Sequence, residues 1–282
     1  MPWYTKYIEV YEKPILSVAQ VILAEVKKKL KEKQCEDPLI SVVLIAHNEE
    51  SRLLSCLWSL CDNKCNLPFE ILAVNNCSTD QTAKVLDTLG VKWFDEKQKG
   101  PGHARQCGLN HARGKYHLCI DADTIYPPHY VQTHIEQLMK PNISCTFSLW
   151  SFMPSQEKSP IGLFIYESLR DIYLRFQFIK RPELCVRGMT FGFKTEYARK
   201  IGFRTDILRG EDGSMALEMK KYGKLVFITS KKARVITGYG TVGTEGSLLK
   251  SFIKRLIKAI KNISGLFIKK DQYKDQDNNL IK

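Results

Sequence analysis

The chain has 282 residues, of which 44% are hydrophobic and 26% charged, a composition that excludes disorder except at the ends. The formal net charge of +13 favours an anionic partner, such as nucleic acid, phospholipid head groups or a phosphorylated substrate. The nine scattered cysteines argue against a disulfide framework and indicate a reducing, cytosolic compartment. The charged start does not resemble a signal peptide, and its apolar run, 14–26, is shorter than the about 20 residues that span a bilayer.

Residues 1–37 form a predicted helical appendage. Val18, Ile22, Val26 and Leu30 recur at helical spacing and predict a helix over 15–33. Lysines crowd its last turns, where positive charge is favourable at the C-terminal end of the helix dipole. A break follows before a predicted main domain, residues 38–240.

Between residues 39 and 123, apolar runs typical of buried strands alternate with segments typical of amphipathic helices. The predicted strands are 39–45, 69–74, 91–94 and 116–120, and the predicted helices are 53–60, 78–89 and 103–113. Ser78 and Gln81 have the spacing of a capping box, and Gly90 is placed to end that helix. This alternation predicts a parallel sheet with helical crossovers. Farther on, the looser pattern predicts strands over 144–152 and 225–229 and helices over 161–179 and 211–221.

Polar clusters follow three of these predicted strands. They are Asn48-Glu49, the turn 75–80, and the pair Asp121 and Asp123. In open parallel sheets, ligands bind outside the carboxyl ends of the strands. The convergence of three clusters on one edge therefore predicts a binding site there.

The sequence Asp121-Ala122-Asp123 ends the fourth predicted strand. Side chains alternate along an extended chain, so the two carboxylates lie on the same side. Two like charges this close repel unless a cation neutralises them, and Mg²⁺ or Mn²⁺ bridges such carboxylates to substrate phosphates. A turn in which an aspartate caps the next element is the structural alternative. The position after an apolar strand favours the metal site.

Five segments, in order, resemble the family 2 glycosyltransferases of the GT-A fold. They are SVVLIAHNEE at 41–50, NNCSTD at 75–80, GHARQCG at 102–108, DAD at 121–123 and GED at 210–212. The resemblance implies an α/β, Rossmann-like, mostly parallel sheet flanked by helices, here with added N- and C-terminal helices. It also implies inverting transfer of a sugar from a nucleoside-diphosphate sugar, with a UDP-sugar favoured.

The resemblance further implies which residues bind the nucleotide-sugar donor. These are Ala46, Asn48, Glu49, Asn76, Asp80, Arg105, Asp121 and Ala122. Asp123 is the expected direct ligand of Mn²⁺ or Mg²⁺, whereas Asp121 would face the ribose or a water on the metal. Arg105 would serve the base or a phosphate. Two features depart from the family, because asparagines stand at Asn75-Asn76 where aspartates are usual and His47 replaces a usual tyrosine.

The expected catalytic residues are Asp212 and Glu211. By resemblance, Asp212 takes the proton of the acceptor hydroxyl, and Glu211 is its neighbour or an acceptor contact. An acidic residue at this point is also a favourable start for a helix. The segment 187–192 would line the acceptor site, where its glycines permit close approach of the backbone.

The C-terminal region, 241–282, is predicted to be a basic amphipathic helix followed by a polar tail. Seven Lys or Arg and no acid lie between Ser247 and Lys270. Its apolar stripe comprises Leu249, Phe252, Ile253, Leu256, Ile260, Ile263 and Phe267. Such a helix suits an anionic membrane surface, although docking on the catalytic domain is the alternative. We therefore expect a cytoplasmic protein, peripheral at the inner face of the cell membrane.

Several functions remain open at this point. The favoured one is a glycosyltransferase of the hexosyltransferase type, acting on a glycan or lipid-linked acceptor in cell-surface polysaccharide biosynthesis. The alternative acceptor is a polyprenyl phosphate. A nucleotidyltransferase would carry a glycine-rich phosphate loop after the first strand, where this chain has residues 47–50, HNEE. A non-catalytic nucleic-acid or membrane-binding protein would not need acids at three strand ends, so we expect no nucleic-acid partner.

Overall fold

The computed structural model describes residues 1–154 and 159–239. The helices in these ranges are α1 (Thr5–Ile8), α2 (Gln20–Glu32), α3 (Leu53–Cys61), α4 (Thr82–Leu89), α5 (Pro101–His111), α6 (Tyr130–Leu138), α7 (Pro160–Lys180), α8 (Thr195–Ile201) and α9 (Glu211–Met219). The strands are β1 (Ile40–Ala46), β2 (Phe69–Asn76), β3 (Lys92–Glu96), β4 (Tyr116–Asp121), β5 (Thr124–Ile125), β6 (Ile143–Ser148), β7 (Trp150–Phe152), β8 (Gly192–Lys194), β9 (Lys224–Ile228) and β10 (Val235–Thr237). The predicted C-terminal helix lies outside the described residues.

The main sheet has seven strands in the order β3-β2-β1-β4-β8-β6-β9. The first four are parallel, as the alternating pattern predicts, and β8 runs antiparallel to both of its neighbours. All eight residues of β2 are buried, because helices cover both faces of the sheet. The predicted α/β class with a mostly parallel, helix-flanked sheet is therefore confirmed.

A second sheet of three short strands, β5-β10-β7, adjoins the acidic end of β4. The single strand predicted over 144–152 is in fact two strands, β6 and β7, separated at Leu149. The first pairs with β8 and β9 in the main sheet, and the second pairs with β10. The run SCTFSLWSF at 144–152 contains no glycine or proline that would signal this change of sheet, which explains why sequence reasoning missed it.

The N-terminal segment shares the core of the main domain. Its buried side chains include Tyr7, Val10, Leu23, Val26 and Leu30, all in the same apolar cluster as the sheet. The boundary predicted at residue 37 therefore does not coincide with a gap in packing. Among the residues that the structure describes, no helix has the length and apolarity needed to cross a bilayer.

The start of α4 differs from the capping-box prediction. The helix begins at Thr82, and Gln81, at its N-cap position, makes no capping hydrogen bond. The hydroxyl of Ser78 instead accepts a hydrogen bond from the backbone N–H of Asn48, in the loop after β1. The predicted end is confirmed, since Gly90 adopts a left-handed conformation (φ 69°) at the C-cap.

Candidate active site

A cavity of about 520 Å³ lies at the carboxyl ends of β1, β2 and β4. It brings together nine of the sequence-predicted site residues: Ala46, Glu49, Asn76, Arg105, Asp121, Ala122, Asp123, Glu211 and Asp212. Five of these are acidic, whereas the basic residues that line the cavity are Lys99 and Arg105, together with His47. The cavity therefore has an excess of acidic groups at the edge of the sheet where parallel strands present their ligands.

Asn48 does not line the cavity. Its backbone is left-handed (φ 57°), a conformation that asparagine tolerates better than most residues. Its side-chain carbonyl oxygen accepts a hydrogen bond from the N–H of Thr79 at 2.8 Å, and its own N–H donates to Ser78 Oγ at 3.0 Å. These two bonds tie the loop after β1 to the loop after β2.

Asp80 also lies outside the cavity lining. One carboxylate oxygen accepts from the N–H of Thr82 at 2.9 Å, and the other accepts from the N–H of Glu50 at 3.2 Å. Hydrogen bonds of this kind favour the charged form, and the pKa of Asp80 is lowered despite partial burial. In this structure Asp80 and Asn48 hold two site loops together.

The side chain of Asn76 lines the cavity but is already fully hydrogen-bonded. Its amide nitrogen donates to the carbonyl oxygens of Glu96 and Gln98, and its amide oxygen accepts from the N–H of Gly100 at 2.9 Å. The residue thereby holds the loop that leads into α5. The expected contact of Asn76 with a nucleotide base stays a prediction.

The guanidinium of Arg105 lies between two of the cavity carboxylates. The side chain is 3% exposed, its Nη2 donates to Oδ1 of Asp121 at 2.7 Å, and its Nε lies 3.0 Å from Oδ1 of Asp212. The second contact lacks hydrogen-bond geometry, so Nε and Nη1 have no hydrogen-bond partner among the described residues. Burial alone would lower the pKa of Arg105, but the charges of Asp212 and Asp121 raise it well above its ordinary value. In this structure Arg105 therefore forms ion pairs with two cavity carboxylates, and its contact with a base or phosphate stays a prediction.

Glu49 and Asp123 are acidic residues of the cavity whose pKa values are raised by their surroundings. Burial and the neighbouring charge of Asp121 raise the pKa of Asp123 to about 6. Burial and the charge of Asp123 raise the pKa of Glu49 to about 7. Crowding of negative charge therefore favours the protonated form of both groups, and a bound cation would favour the ionised form.

The carboxylates of Asp121 and Asp123 fit a hard divalent cation. In residues 1–154 and 159–239, no group of three or more His, Cys, Asp or Glu side chains forms a complete metal site. Mg²⁺ and similar ions, however, are commonly held by one or two carboxylates, with substrate phosphates and water completing the shell. The donor set of the Asp121–Asp123 pair is suited to this incomplete kind of site.

Glu211 and Asp212 occupy the first turn of α9 and form the part of the cavity wall that this helix supplies. The turn begins at Gly210, whose φ of 100° places the two acids at the helix start. Burial raises the pKa of Asp212, although Arg105 opposes the shift. Burial and the charge of Asp212 raise the pKa of Glu211. A carboxylate with a raised pKa is a better proton acceptor, which is the property a general base requires.

The segment 187–190 closes one side of this arrangement, and Gly188 is its point of contact. A Cβ atom at position 188 would lie 1.8 Å from Nη2 of Arg105 and 2.5 Å from Oδ2 of Asp212. Only glycine allows the backbone to approach these two side chains so closely. Glycine at position 188 therefore permits this close approach, while the lining of an acceptor site by 187–192 stays a prediction.

Sequence reasoning missed two residues that support the site. The hydroxyl of Tyr11 donates to the backbone carbonyl oxygen of Asp123 at 3.1 Å. Arg52 forms ion pairs with Glu49 at 3.2 Å and with Glu12 at 2.9 Å. Tyr11 lies 112 residues from its partner in the sequence, and no local pattern predicts a contact over that separation.

The structure thus has a mostly parallel α/β sheet with paired acids at its carboxyl edge. The family model "Glycosyl transferase family 2" matches residues 41–202, which is more than half of the chain. The chain therefore belongs to glycosyl transferase family 2, a family of enzymes.

Individual relatives are distant. The chain is 26% identical over 136 residues to a Bacillus subtilis glycosyltransferase, TuaG, that is assigned to teichuronic acid biosynthesis, a match over 46% of this chain and 53% of TuaG. It is 33% identical over 92 residues to the poly(ribitol-phosphate) beta-N-acetylglucosaminyltransferase TarS of Staphylococcus aureus, over 29% of this chain and 16% of TarS. An uncharacterized Haemophilus influenzae glycosyltransferase is 24% identical over 77% of this chain and 85% of its own length. The matches thus span about half of TuaG and a sixth of TarS.

Solved structures share the fold. S. aureus TarS 1–349, in complex with UDP, superposes with a TM-score of 0.52 at 20% identity, over 71% of this chain and 60% of that chain. The mannosyltransferase PcManGT of Pyrobaculum calidifontis, in complex with GDP-Man and Mn²⁺, gives 0.54 at 17% identity, over 83% of this chain and 68% of its own. Glucosyl-3-phosphoglycerate synthase of Mycobacterium tuberculosis superposes with a TM-score of 0.52 at 18% identity, over 88% of this chain and 85% of the synthase chain. At these identities the likeness establishes the GT-A fold alone.

Proposed function

We propose that this protein is a metal-dependent, inverting glycosyltransferase that transfers a sugar from a nucleoside-diphosphate sugar, with a UDP-sugar favoured. The acceptor is a glycan or a lipid-linked sugar in the synthesis of a cell-surface polysaccharide. The observation that carries the proposal is the charge of the cavity, where five acids face two permanently basic side chains. An anionic diphosphate binds in such a cavity only with a cation, and Asp121 and Asp123 are the carboxylates suited to hold one.

The relatives support the choice of donor and pathway. TarS is named for the transfer of N-acetylglucosamine to poly(ribitol phosphate), and TarS 1–349, a fold neighbour of this chain, was solved with UDP. TuaG is assigned to teichuronic acid biosynthesis. Fold neighbours solved with Mn²⁺ include one with GDP-Man and one with UDP-glucose. A divalent metal and a diphosphate sugar are common to these fold neighbours, and the base is the feature that differs.

The two walls of the cavity have separate chemical roles in the proposed reaction. Asp212 removes the proton from the acceptor hydroxyl while the oxygen of that hydroxyl attacks the anomeric carbon. The bond from that carbon to the diphosphate breaks, the diphosphate leaves with the electron pair, and the proton stays on Asp212. A divalent ion, when bound, would offset the charge of the leaving group. A single displacement from the face opposite the diphosphate inverts the anomeric configuration.

Arg105 has a positioning role in this scheme. It contacts Asp121 on the donor wall and Asp212 on the acceptor wall, at 2.7 Å and 3.0 Å. The guanidinium of Arg105 therefore fixes the base, Asp212, relative to Asp121, the carboxylate that faces the donor. Positioning of this kind lowers the entropy cost of bringing the reacting groups together.

A thermal-shift panel tests the proposal. The protein is melted with UDP-, GDP-, CMP- and dTDP-sugars, each with Mn²⁺, Mg²⁺ or EDTA. We expect stabilisation only with metal and with a UDP-sugar, because a ligand at about one hundred times its dissociation constant stabilises the native state by about 2.7 kcal/mol. Equal shifts in EDTA would exclude metal dependence, and a response to GDP-sugars alone would exclude the uridine assignment. For the active donor, the anomeric configuration of the product, read by NMR, decides whether transfer inverts.

A further inference from the structure

We propose that α7 is a membrane-docking surface, which lays an apolar stripe on an anionic lipid bilayer beside the acceptor side of the active site. The inference rests on the proposed function, because a lipid-linked acceptor is presented at such a surface. It assigns the contact to a described helix, in addition to the basic segment 247–270 that the sequence analysis associates with membranes.

The outward face of α7 carries an unusual concentration of exposed apolar side chains. The α7 stripe consists of Ile161, Phe164, Ile165, Leu169, Ile172, Phe176 and Ile179. These are seven of the 13 large apolar side chains that are exposed in the described residues, and each is 43% to 73% exposed. Most follow one another at intervals of three or four, so they form one continuous row along the helix. An exposed row of this kind marks an interaction surface.

The charges of α7 are divided between its two faces. The acidic residues point inward, where Glu167 accepts hydrogen bonds from Ser151 and from the N–H of Phe152, and Asp171 pairs with Arg170 and Arg234. The charged residues on the exposed face are Arg175 and Lys180, both basic. The outward surface is therefore apolar and cationic, the combination that binds anionic lipid head groups and the acyl chains beneath them.

The same division of charge disfavours two other partners. A second copy of this chain, packed face to face on the stripe, would bring the Arg175 side chains of both copies into one apolar interface, with no exposed acid on either α7 to offset them. The segment 247–270 is itself basic, with seven Lys or Arg and no acid, so its charge would oppose docking on α7. An anionic bilayer complements all of these groups at once.

The position of α7 connects this surface to the reaction. The helix has 21 residues, which corresponds to a length of about 30 Å. After Lys180 the chain turns through 182–185 and reaches Gly188, which touches the side chains of Arg105 and Asp212. The docking surface is thus joined by a short segment to the wall that holds the proposed base. A bilayer under α7 would bring a lipid-linked acceptor to that wall.

Vesicle flotation with the full chain tests the proposal. The probe is phosphatidylcholine vesicles with or without phosphatidylglycerol. The variant I172E/F176E places two acids in the stripe, and V21E/M139E makes the same changes at exposed apolar positions elsewhere. We expect the wild type and the control variant to float with anionic vesicles, and the stripe variant to lose at least about tenfold in partitioning. Arg175→Glu should reduce binding to anionic vesicles by about tenfold and leave thermal stability unchanged.

The outcomes separate this proposal from the proposed function. Equal flotation of the wild type and I172E/F176E would overturn it and would assign membrane binding to another part of the chain. A wild type that binds no vesicles would also overturn it, and sedimentation velocity would then show whether a second copy covers the stripe. The donor-dependent thermal shift is measured on every variant. A normal shift with normal melting shows that the site and fold are intact, so loss of flotation then reports on the surface alone.

Discussion

Glu70 and Asp121 are carboxylates at opposite edges of the same parallel sheet, and their surroundings differ. Glu70 lies at the amino end of β2 and is 1% exposed. Both of its oxygens accept two hydrogen bonds, from the Ser41 hydroxyl and from the backbone and guanidinium of Arg113, at 2.6 to 2.9 Å. Arg113 in turn donates to the carbonyl oxygens of Cys35 and Glu36, so this cluster ties the N-terminal segment to the sheet.

The cluster around Asp121 leaves buried polar atoms without partners. Within the described residues, Nε and Nη1 of Arg105 and Oδ1 of Asp212 have no hydrogen bond. Such atoms are costly to bury, and natural proteins keep them mainly where function requires it. The amino edge of the sheet is therefore organised for stability, whereas the carboxyl edge is organised for a ligand that brings further charge.

The largest expected effect is a loss of transfer rate when a carboxylate at the carboxyl edge is removed. Asp212→Asn should lower the transfer rate by about 10²–10⁴-fold, the usual contribution of a general base. Its melting temperature should change little, because the raised pKa of Asp212 shows that the charge is already costly in the folded state. UDP release measures the transfer rate, and thermal melting measures the stability. Glu218→Gln, on the exposed side of α9, is the matched control. A variant that keeps a tenth or more of the rate would remove Asp212 from the role of base.

At the amino edge the expected effect is on stability. Glu70→Gln replaces a carboxylate that accepts four hydrogen bonds, so we expect a loss of about 2–4 kcal/mol in the free energy of unfolding. Urea unfolding measures it. Binding of the donor to the folded protein should be unchanged. Glu196→Gln, which breaks an exposed ion pair with Lys200, should have no measurable effect. Equal stability of the two variants would contradict the contrast between the edges.

The dependence on pH should separate protons from metal at the carboxyl edge. Burial raises the pKa of Glu49 to about 7, so its favourable contribution is complete below its unfolded pKa of 4.5 and is lost as the pH rises through 7. Between pH 5 and 7 the wild type should therefore lose up to about 1.4 kcal/mol per pH unit relative to Glu49→Gln. Thermal melts in EDTA across this range provide the test, and added Mn²⁺ should reduce the difference. Parallel pH profiles of the two proteins would show that Glu49 is not protonated in the folded state.

The smallest effect concerns the N-terminal segment. Tyr11→Phe removes the hydrogen bond to the carbonyl oxygen of Asp123, and we expect the Mn²⁺ concentration for half-maximal activity to rise about three- to tenfold. Tyr7→Phe removes a hydroxyl that bonds Asp62, away from the cavity, and should leave the metal requirement unchanged. If both variants respond alike, Tyr11 contributes only to folding.

Much of the carboxyl edge could be predicted from the sequence because it depends on local patterns. Apolar runs predict the strands β1 to β4. The polar residues that follow these runs predict the site residues Glu49, Asp121 and Asp123. The prediction failed where distant segments compete for the same groups. Ser78 bonds the loop after β1 instead of capping α4, and Asn76 is fully used by the backbone of 96–100. Contacts of this kind depend on the tertiary arrangement, which no local spacing encodes.

The pairing of Arg105 with two acids is another contact that depends on the tertiary arrangement. Asp121 and Asp212 lie 16 and 107 positions from Arg105 along the chain, and only the tertiary fold brings the three side chains together. The resemblance to a family supplied the identity of these residues, but not their contacts in the ligand-free state. The strand β8 was also missed, since three residues are too few to show a periodic pattern.

The antiparallel insertion of β8 has a consequence for biosynthesis. The strand β4 pairs on one side with β1 and on the other with β8, which the ribosome makes some 70 residues later. Until then the growing chain exposes an apolar strand edge, Tyr116–Asp121, which can pair with other chains. A shortened chain that ends before Gly192 would keep that edge open, and we expect it to aggregate. The completed chain closes the edge with the same segment that delivers Gly188 to the base.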